Sequence, residues 1–348
     1  MFSSINYGTD TSTEGRMVMH AILDVTDRGA GTEGTTFIFP IQIFKVKEGV
    51  TFSEGDWQRA LQNWDKAMAG EMEFTAPNFD LFLKSCRVSA RRLFPNFVFL
   101  DATFNKHEDW KPNDPMRYMH EVCTMGCRTR VFDDIFGPKT SMSRGNVSFT
   151  TVNIVRVAIK AKRQAELFYE KDIKEQGYTK MRGSVEAMAM NLFNAGLDEM
   201  LELAADQLHT RFNFQCKRKA KQFPFLFGQN LWKGGADLSP NDHVEEAIKH
   251  GTLSIGFIGL AETLFMLIGE HHGQSDRAQK AGLEIVQRMR NFCDRMTKER
   301  KLNFSLLATP AEGLSGRFVN MDRREFGKID GVTDREYYTN SSHKQNVA

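Results

Sequence analysis

Within a polar stretch of this 348-residue chain lies Met125-Gly-Cys-Arg-Thr-Arg130. Cys127 follows a glycine and precedes Arg128 and Arg130, in surroundings too polar to form core. A loop that projects such a thiol into a cavity makes a reactive-cysteine site. A cysteine taken at random is instead a small inert hydrophobe, and the residues alone leave both readings open. The flanking stretch from Ala102 to Arg144 carries Pro112, Pro115 and Pro138, many charges and no sustained hydrophobic period. A loop of roughly 40 residues inside a domain is usually functional or disordered.

Two further places could hold an anion. Asn303 to Ala308 reads as a strand running into Thr309-Pro-Ala-Glu312. There Thr309 suits a helix N-cap, Pro310 the first helical position and Glu312 the reciprocal place of a capping box. Free N–H groups of that first turn can receive a phosphate, or the pattern is only a well-capped helix. Gly256-Phe-Ile-Gly259 likewise leads from a strand into a helix, allowing close approach of a ligand or merely tight packing. His271-His272-Gly273 reads as a helix end, since adjacent histidines cannot form an i,i+4 ligand pair. Cys123 and Cys127 form a lone C-x3-C with no second pair to complete a tetrahedral metal site.

The elements that must position these residues alternate short apolar runs with longer amphipathic ones, the pattern of an α/β fold. Strands are expected over Phe37–Val46, Leu93–Leu100, Val147–Ile154, Phe223–Leu231 (the weakest), Thr252–Ile258 and Asn303–Ala308. Pro40 in the first implies a bulge or a sheet edge. Leu197, Leu201, Ala205, Leu208 and Phe212 make one helical stripe, and Ile285, Met289, Phe292 and Met296 another, both read as core. Cys293 beside the second is read as buried. Lys217–Lys221 and Lys298–Lys301 are read as solvated charge runs near helix ends.

Composition narrows the class. Hydrophobic residues at 41% and charged residues at 26% match a soluble globular protein. With 46 basic against 44 acidic residues the net charge is +2, so no strong field points to nucleic acid or a membrane surface. No apolar run approaches the ~20 residues of a spanning helix, and Met1 to Asp10 lacks the layout of a signal peptide. Five scattered cysteines, an odd number, point to a reducing cytoplasm rather than a disulfide framework.

Taken together, several ordered segments resemble one family. They are Ile5–Ser12, Glu14-Gly-Arg-Met17, Phe39–Gly49, Arg92–Phe97, Thr124-Met-Gly-Cys-Arg-Thr-Arg-Val131, Arg144–Thr151, His250–Glu262, Asn303–Phe318 and Gly331–Asn340. That family is the class III (anaerobic) ribonucleoside triphosphate reductases, which are glycyl radical enzymes. The resemblance implies part of a ten-stranded α/β barrel over residues 1–348, with a finger loop at about 103–144 inserted into it. It also implies radical chemistry at a ribose. Cys127 matches the finger-loop cysteine whose thiyl radical abstracts the 3′-hydrogen of a ribonucleoside triphosphate before the 2′-hydroxyl leaves as water. S–H and activated C–H bonds have similar strengths, which makes that transfer reversible, and the protein holds sulfur against sugar while excluding water. Asn146 matches an asparagine near the sugar hydroxyls. Met125, Gly126, Arg128 and Ser254 are expected to line the substrate, and Thr309, Ala311 and Glu312 to meet its triphosphate.

The same resemblance places other parts outside this chain. These are the first barrel strands, the second active-site cysteine, the effector-binding helices, the glycyl radical loop and a four-cysteine structural zinc module. Implied partners are formate as reductant, a radical-generating activase using S-adenosylmethionine and an iron–sulfur cluster, complementary N- and C-terminal pieces, and a second copy in a homodimer. Cys123 stands where the family commonly has alanine and receives no role. The competing expectation is an inactive remnant that at most binds nucleotide. An acyl lyase of the glycyl radical class is disfavoured because such lyases carry adjacent cysteines at the finger.

Overall fold

The computed structural model describes residues 4–36, 39–126, 129–177 and 184–340, and these divide into two compact units, 1–145 and 146–348. In the first unit, β1 (Ser4–Tyr7), β2 (Ile41–Val46) and β3 (Asn96–Phe99) form a parallel sheet in that order. The crossovers between them are helical: α1 (Thr13–Arg28), then α2 (Glu54–Gln62), α3 (Trp64–Ala69) and α4 (Phe79–Arg92). Ser12 caps α1 by accepting the Gly15 N–H at 3.1 Å. Met19 and Leu23 of α1 pack with Leu81 and Val88 of α4 on Phe44 and Val46 of β2. Gly8 follows β1 with a φ of +131°, and an added Cβ would lie 2.7 Å from the Lys45 carbonyl oxygen. The chain can pass this close to β2 only without a side chain.

Beyond β3 the polar stretch is not wholly irregular. A short antiparallel hairpin joins β4 (Cys123–Met125) to β5 (Thr129–Val131), with Cys123 opposite Val131 and Met125 opposite Thr129.

The second unit is built on another three-stranded parallel sheet. Its order is β6 (Asn146–Asn153), β7 (Thr252–Ile258), β8 (Asn303–Ala308). Its helices are α5 (Ile154–Gln176), α6 (Val185–Cys216), α7 (Glu245–Ile248), α8 (Leu260–Ile268), α9 (Asp276–Arg300) and α10 (Glu312–Phe326). One face of the sheet, carrying Val152, Leu253, Ile255, Phe257 and Phe304, is core with the α6 and α9 stripes. Both stripes are buried as expected, including Leu197, Leu208, Ile285 and Met296. No helix among the described residues is long and apolar enough to cross a membrane.

Several sequence expectations are corrected. The expected strand at Phe223–Leu231 is a series of turns, with the Phe227 N–H bonded to the Phe223 carbonyl and the Leu231 N–H to Leu226. Pro224 cannot donate to a ladder, and a Cβ on Gly228 would meet the Pro224 carbonyl oxygen at 2.4 Å, so this apolar segment folds on itself. Pro40 marks neither bulge nor edge: β2 is the central strand and Pro40 precedes its first paired residue. Of that segment, Phe37 and Ile38 lie outside the described residues. The expected Leu93–Leu100 strand begins only at Asn96, because Leu93 closes α4 in the left-handed conformation. Helix α8 stops at Ile268, with Gly269 left-handed at φ +77°, so His271 lies beyond the helix rather than at its end.

Candidate functional site

Strand alternation sorts the second sheet into an apolar face and a polar one. Register aligns Thr252 with Asn303 and Asn146, Ser254 with Ser305, and Gly256 with Thr151. These side chains therefore share the face opposite the core. The Asn146 amide donates to Thr252 Oγ1 at 3.0 Å and to Ser254 Oγ at 2.5 Å. Ser254 Oγ in turn lies 2.8 Å from Ser305 Oγ. A shift between Asn146 and Ser148 breaks the even pairing at the start of β6. Arg211 of α6 holds this edge strand by donating to Ser148 Oγ, the Phe149 carbonyl and Thr150 Oγ1. Thr252 and Ser254 are both buried. The arrangement offers hydroxyl and amide groups that can exchange hydrogen bonds with a polyhydroxylated ligand.

Further along the strands, Thr309 departs from its expected role. Its N–H donates to the Phe257 carbonyl at 3.2 Å and its hydroxyl sits 3.1 Å from Thr151 Oγ1. It thus extends the β8 ladder, and the helix cap passes to Ala311, with α10 beginning at Glu312. Thr309 is therefore not the N-cap expected of it, because the sheet has already claimed its backbone N–H. Gly256 leaves room for the threonine pair, since a Cβ there would fall 2.0 Å from Thr309 Oγ1 and 2.9 Å from Thr151 Oγ1. Ala311 has a φ of +27°, a strained value for a residue with a side chain.

The segment Gly331–Asn340 closes back onto the end of β7. The Gly259 N–H donates to the Thr339 carbonyl at 2.7 Å. Buried Glu262 accepts from the Thr339 N–H at 3.1 Å and from Arg335 at 2.7 Å. Tyr338 donates to Asp322 at 2.9 Å, where Asn153 and Arg156 also donate. Burial first, then the Asp322 carboxylate, pushes the Tyr338 phenol well above its ordinary value, so it stays a donor.

In the first unit the hairpin is secured at its base by polar contacts. The Asn6 amide donates to the Thr124 carbonyl and accepts the Thr124 N–H, both at 3.0 Å, which ties β1 to β4. Just before β4, buried Glu121 accepts from Lys45 and Thr9 at 2.9 Å and from the Trp110 indole at 3.1 Å. Burial pulls Lys45 down, but the Cys123 sulfur and the Glu121 carboxylate outweigh it and hold the ammonium above its ordinary value. Past β5, Arg144 donates to the carbonyls of Phe132, Asp133 and Thr140. Met125 is exposed and Gly126 has a φ of +58° with open space where a Cβ would be. Cys127 and Arg128, the two expected residues at the tip, lie outside the described residues.

Three other cysteines are set apart from chemistry by burial, which pushes Cys86 and Cys216 up to about 11 and Cys293 up to about 12.

The family model for anaerobic ribonucleoside-triphosphate reductase matches residues 1–347. The chain belongs to that family. The reductase of Escherichia coli (strain K12) is 28% identical over 347 residues, which are 98% of this chain and 41% of that one. That of Enterobacteria phage T4 is 28% identical over 346 residues, 98% of this chain and 47% of its own length. The chain therefore spans less than half the length of these curated relatives. Among solved structures, an anaerobic ribonucleotide reductase is similar at 12% identity and a TM-score of 0.46, over 97% of this chain and 44% of that one. The Thermotoga maritima enzyme in complex with dATP and CTP is similar at 12% identity and a TM-score of 0.43, over 94% and 45%.

Of the residues expected to serve a reductase, the second unit brings Asn146 and Ser254 into direct contact. Thr309 and Ala311 stand further along at the ends of the strands, and α10 starts at Glu312. Met125 and Gly126 share the hairpin of the first unit. Sequence reasoning missed Thr252, Ser305 and Thr151, although alternation in Thr252-Leu-Ser-Ile-Gly256 and Asn303-Phe-Ser-Leu-Leu307 carried the signal. It also assigned no role to Asp322 and Arg335, whose partners are far along the chain.

Proposed function

We propose that this chain carries the catalytic cysteine and the sugar-binding strands of an anaerobic ribonucleoside-triphosphate reductase, converting ribonucleoside triphosphates to deoxyribonucleoside triphosphates. In this reading Cys127, at the tip of a finger loop, faces the ribose within the ten-stranded barrel of glycyl radical enzymes. Gly126 gives the backbone freedom to turn the sulfur outward, and Met125 and Arg128 flank the sugar. Asn146 and Ser254 hydrogen-bond the ribose hydroxyls. Thr309, Ala311 and Glu312 receive the triphosphate at the strand ends. A glycyl radical, made by an S-adenosylmethionine and iron–sulfur activase, supplies the unpaired electron for the cysteine. That radical, a structural zinc, the complementary segments, formate as reductant, homodimer formation and a cytoplasmic setting complete the proposal.

The observation that carries it is the Asn146 amide, held by Thr252 and Ser254 on a polar strand face, in a chain that matches the reductase family along almost its whole length. With its N–H groups given to Thr252 and Ser254, the Asn146 side chain is fixed in orientation, and its amide oxygen can accept from a ribose hydroxyl with little further loss of side-chain entropy. Equilibrium binding of CTP and of dCTP, measured on the chain co-expressed with complementary reductase segments, tests this reading. CTP should bind more tightly, and Asn146→Ala should reduce the preference by about tenfold, as for one lost hydrogen bond in a site built to make it. Equal affinity for the two nucleotides in the unsubstituted protein contradicts it.

A further inference from the structure

The structure places His107, Asp109 and His120 in one cluster of the first unit, with one donor atom from each within 4.8 Å of the others. We propose that these three residues bind a divalent transition ion, Zn2+ by the chemistry of its donors, and that the ion pins the approach to the β4–β5 hairpin. Two imidazoles and a carboxylate suit zinc and its neighbours rather than calcium or magnesium. The site is separate from any four-cysteine zinc module, since no sulfur takes part.

The geometry favours capture of an ion. The two imidazole rings lie with their centroids 4.5 Å apart and their planes inclined by 42°. His107 is further held by Phe132, whose ring meets it edge-on at 5.8 Å, and its Nδ1 lone pair, which accepts the Asp109 N–H at 3.2 Å, would be given to the ion in exchange for that bond. The same turn thus positions the first imidazole and carries the carboxylate. The His107 side chain is only 13% exposed whereas that of Asp109 is 77% exposed. Asp109 can therefore swing inward to close the cluster at little cost. Ligand atoms on a tetrahedral zinc sit roughly 3.3 Å apart, given bonds of about 2.0–2.1 Å, so a contraction of about 1.5 Å is all that is required. Both histidines also border a cavity of about 320 Å³ lined by Lys47, Asp101, Asn105 and Trp110. A three-ligand site opening on a cavity leaves the fourth position to water.

His107 and His120 bracket the proline-containing segment that precedes the hairpin, and His120 stands three residues before Cys123. An ion joining them closes this segment as a loop, removing chain entropy that Pro112 and Pro115 only partly remove. The strand that leads to Cys127 then leaves from a fixed point.

The test is titration of the full 348-residue chain with Co2+, read by its visible d–d absorption, and with Zn2+, read by calorimetry. One equivalent should bind with a nitrogen–oxygen cobalt spectrum lacking thiolate charge transfer. His107→Ala and His120→Ala should each abolish it, with circular dichroism confirming that the variants are folded. Independently of any variant, saturating Zn2+ should slow amide hydrogen exchange across 103–125. The proposal is overturned if the unsubstituted chain takes up no ion. Uptake that persists in a His107→Ala/His120→Ala double variant overturns it too, as does exchange in 103–125 that zinc leaves unchanged.

Discussion

The strand-borne polar face of the second unit and the hairpin of the first solve the same problem in opposite ways. Asn146, Ser254 and Ser305 stand on neighbouring parallel strands, so backbone register alone sets their spacing, and an apolar core behind the sheet holds that register. The hairpin has three residues in each strand and little apolar packing of its own. It is held by charges and amides reaching in from elsewhere, through Asn6, Lys45 with Glu121, and Arg144. A site fixed by register resists the loss of any single side chain, because the ladder persists. One fixed by buried polar anchors fails abruptly, because each lost partner strands a buried charge or dipole.

That contrast can be broken most severely at Glu121. Replacing it by alanine leaves Lys45 buried without its carboxylate, which should cost about 3–5 kcal/mol. The loss should appear as fast amide exchange through 4–145 while 146–340 keeps its protection. Equal loosening of both units removes the distinction. A smaller effect is expected from Gly256→Ala. Its methyl group would displace the Thr151 and Thr309 hydroxyls, at about 1–3 kcal/mol for overpacking, and denaturant unfolding followed by exchange should place the loss in the second unit alone. Full stability in that variant means the threonine pair has slack that the distances do not suggest.

The smallest predicted effect sharpens the comparison through pH. Burial would raise the Asp56 carboxyl, but the Ala76 and Thr75 N–H groups and Arg59 outweigh it and hold it below the ordinary carboxylate range. A depressed folded-state pKa contributes stability that is complete above the unfolded value, about 3.9, and is lost as pH falls through the lower folded value. The first unit should therefore lose a step of stability in acid that Asp56→Asn abolishes. An acid titration of its unfolding free energy, unchanged by Asp56→Asn, removes Asp56 as the cause.

The two regions also differ in how far the sequence announced them. Strands Thr252–Ile258 and Asn303–Ala308 coincide with expectation and β6 is shifted by one position at each end, because β-branched and apolar runs between clear helical stripes have one reading. Asn146 and Ser254 were named through family resemblance, and their hydrogen bond depends on register that no local pattern encodes. Thr309 was misplaced because Thr-Pro-x-Glu satisfies every local rule for a helix start, while the competing claim on its N–H comes from Phe257 on another strand. Phe223–Leu231 misled for the same reason: its aromatic content suits a strand, but among the described residues no strand pairs with it. The His107, Asp109 and His120 cluster escaped notice since the second histidine lies far from the first two residues in sequence.

The central claim is that Cys127 performs the hydrogen-atom chemistry of a reductase. The most direct measurement is deoxyribonucleotide formation under strictly anaerobic conditions. It uses the chain co-expressed with complementary segments and an activase, with the glycyl radical signal recorded in parallel. The account predicts turnover that Cys127→Ser abolishes while assembly and the radical signal persist. A full radical signal with no reduction of any ribonucleoside triphosphate, or turnover undiminished in Cys127→Ser, contradicts it.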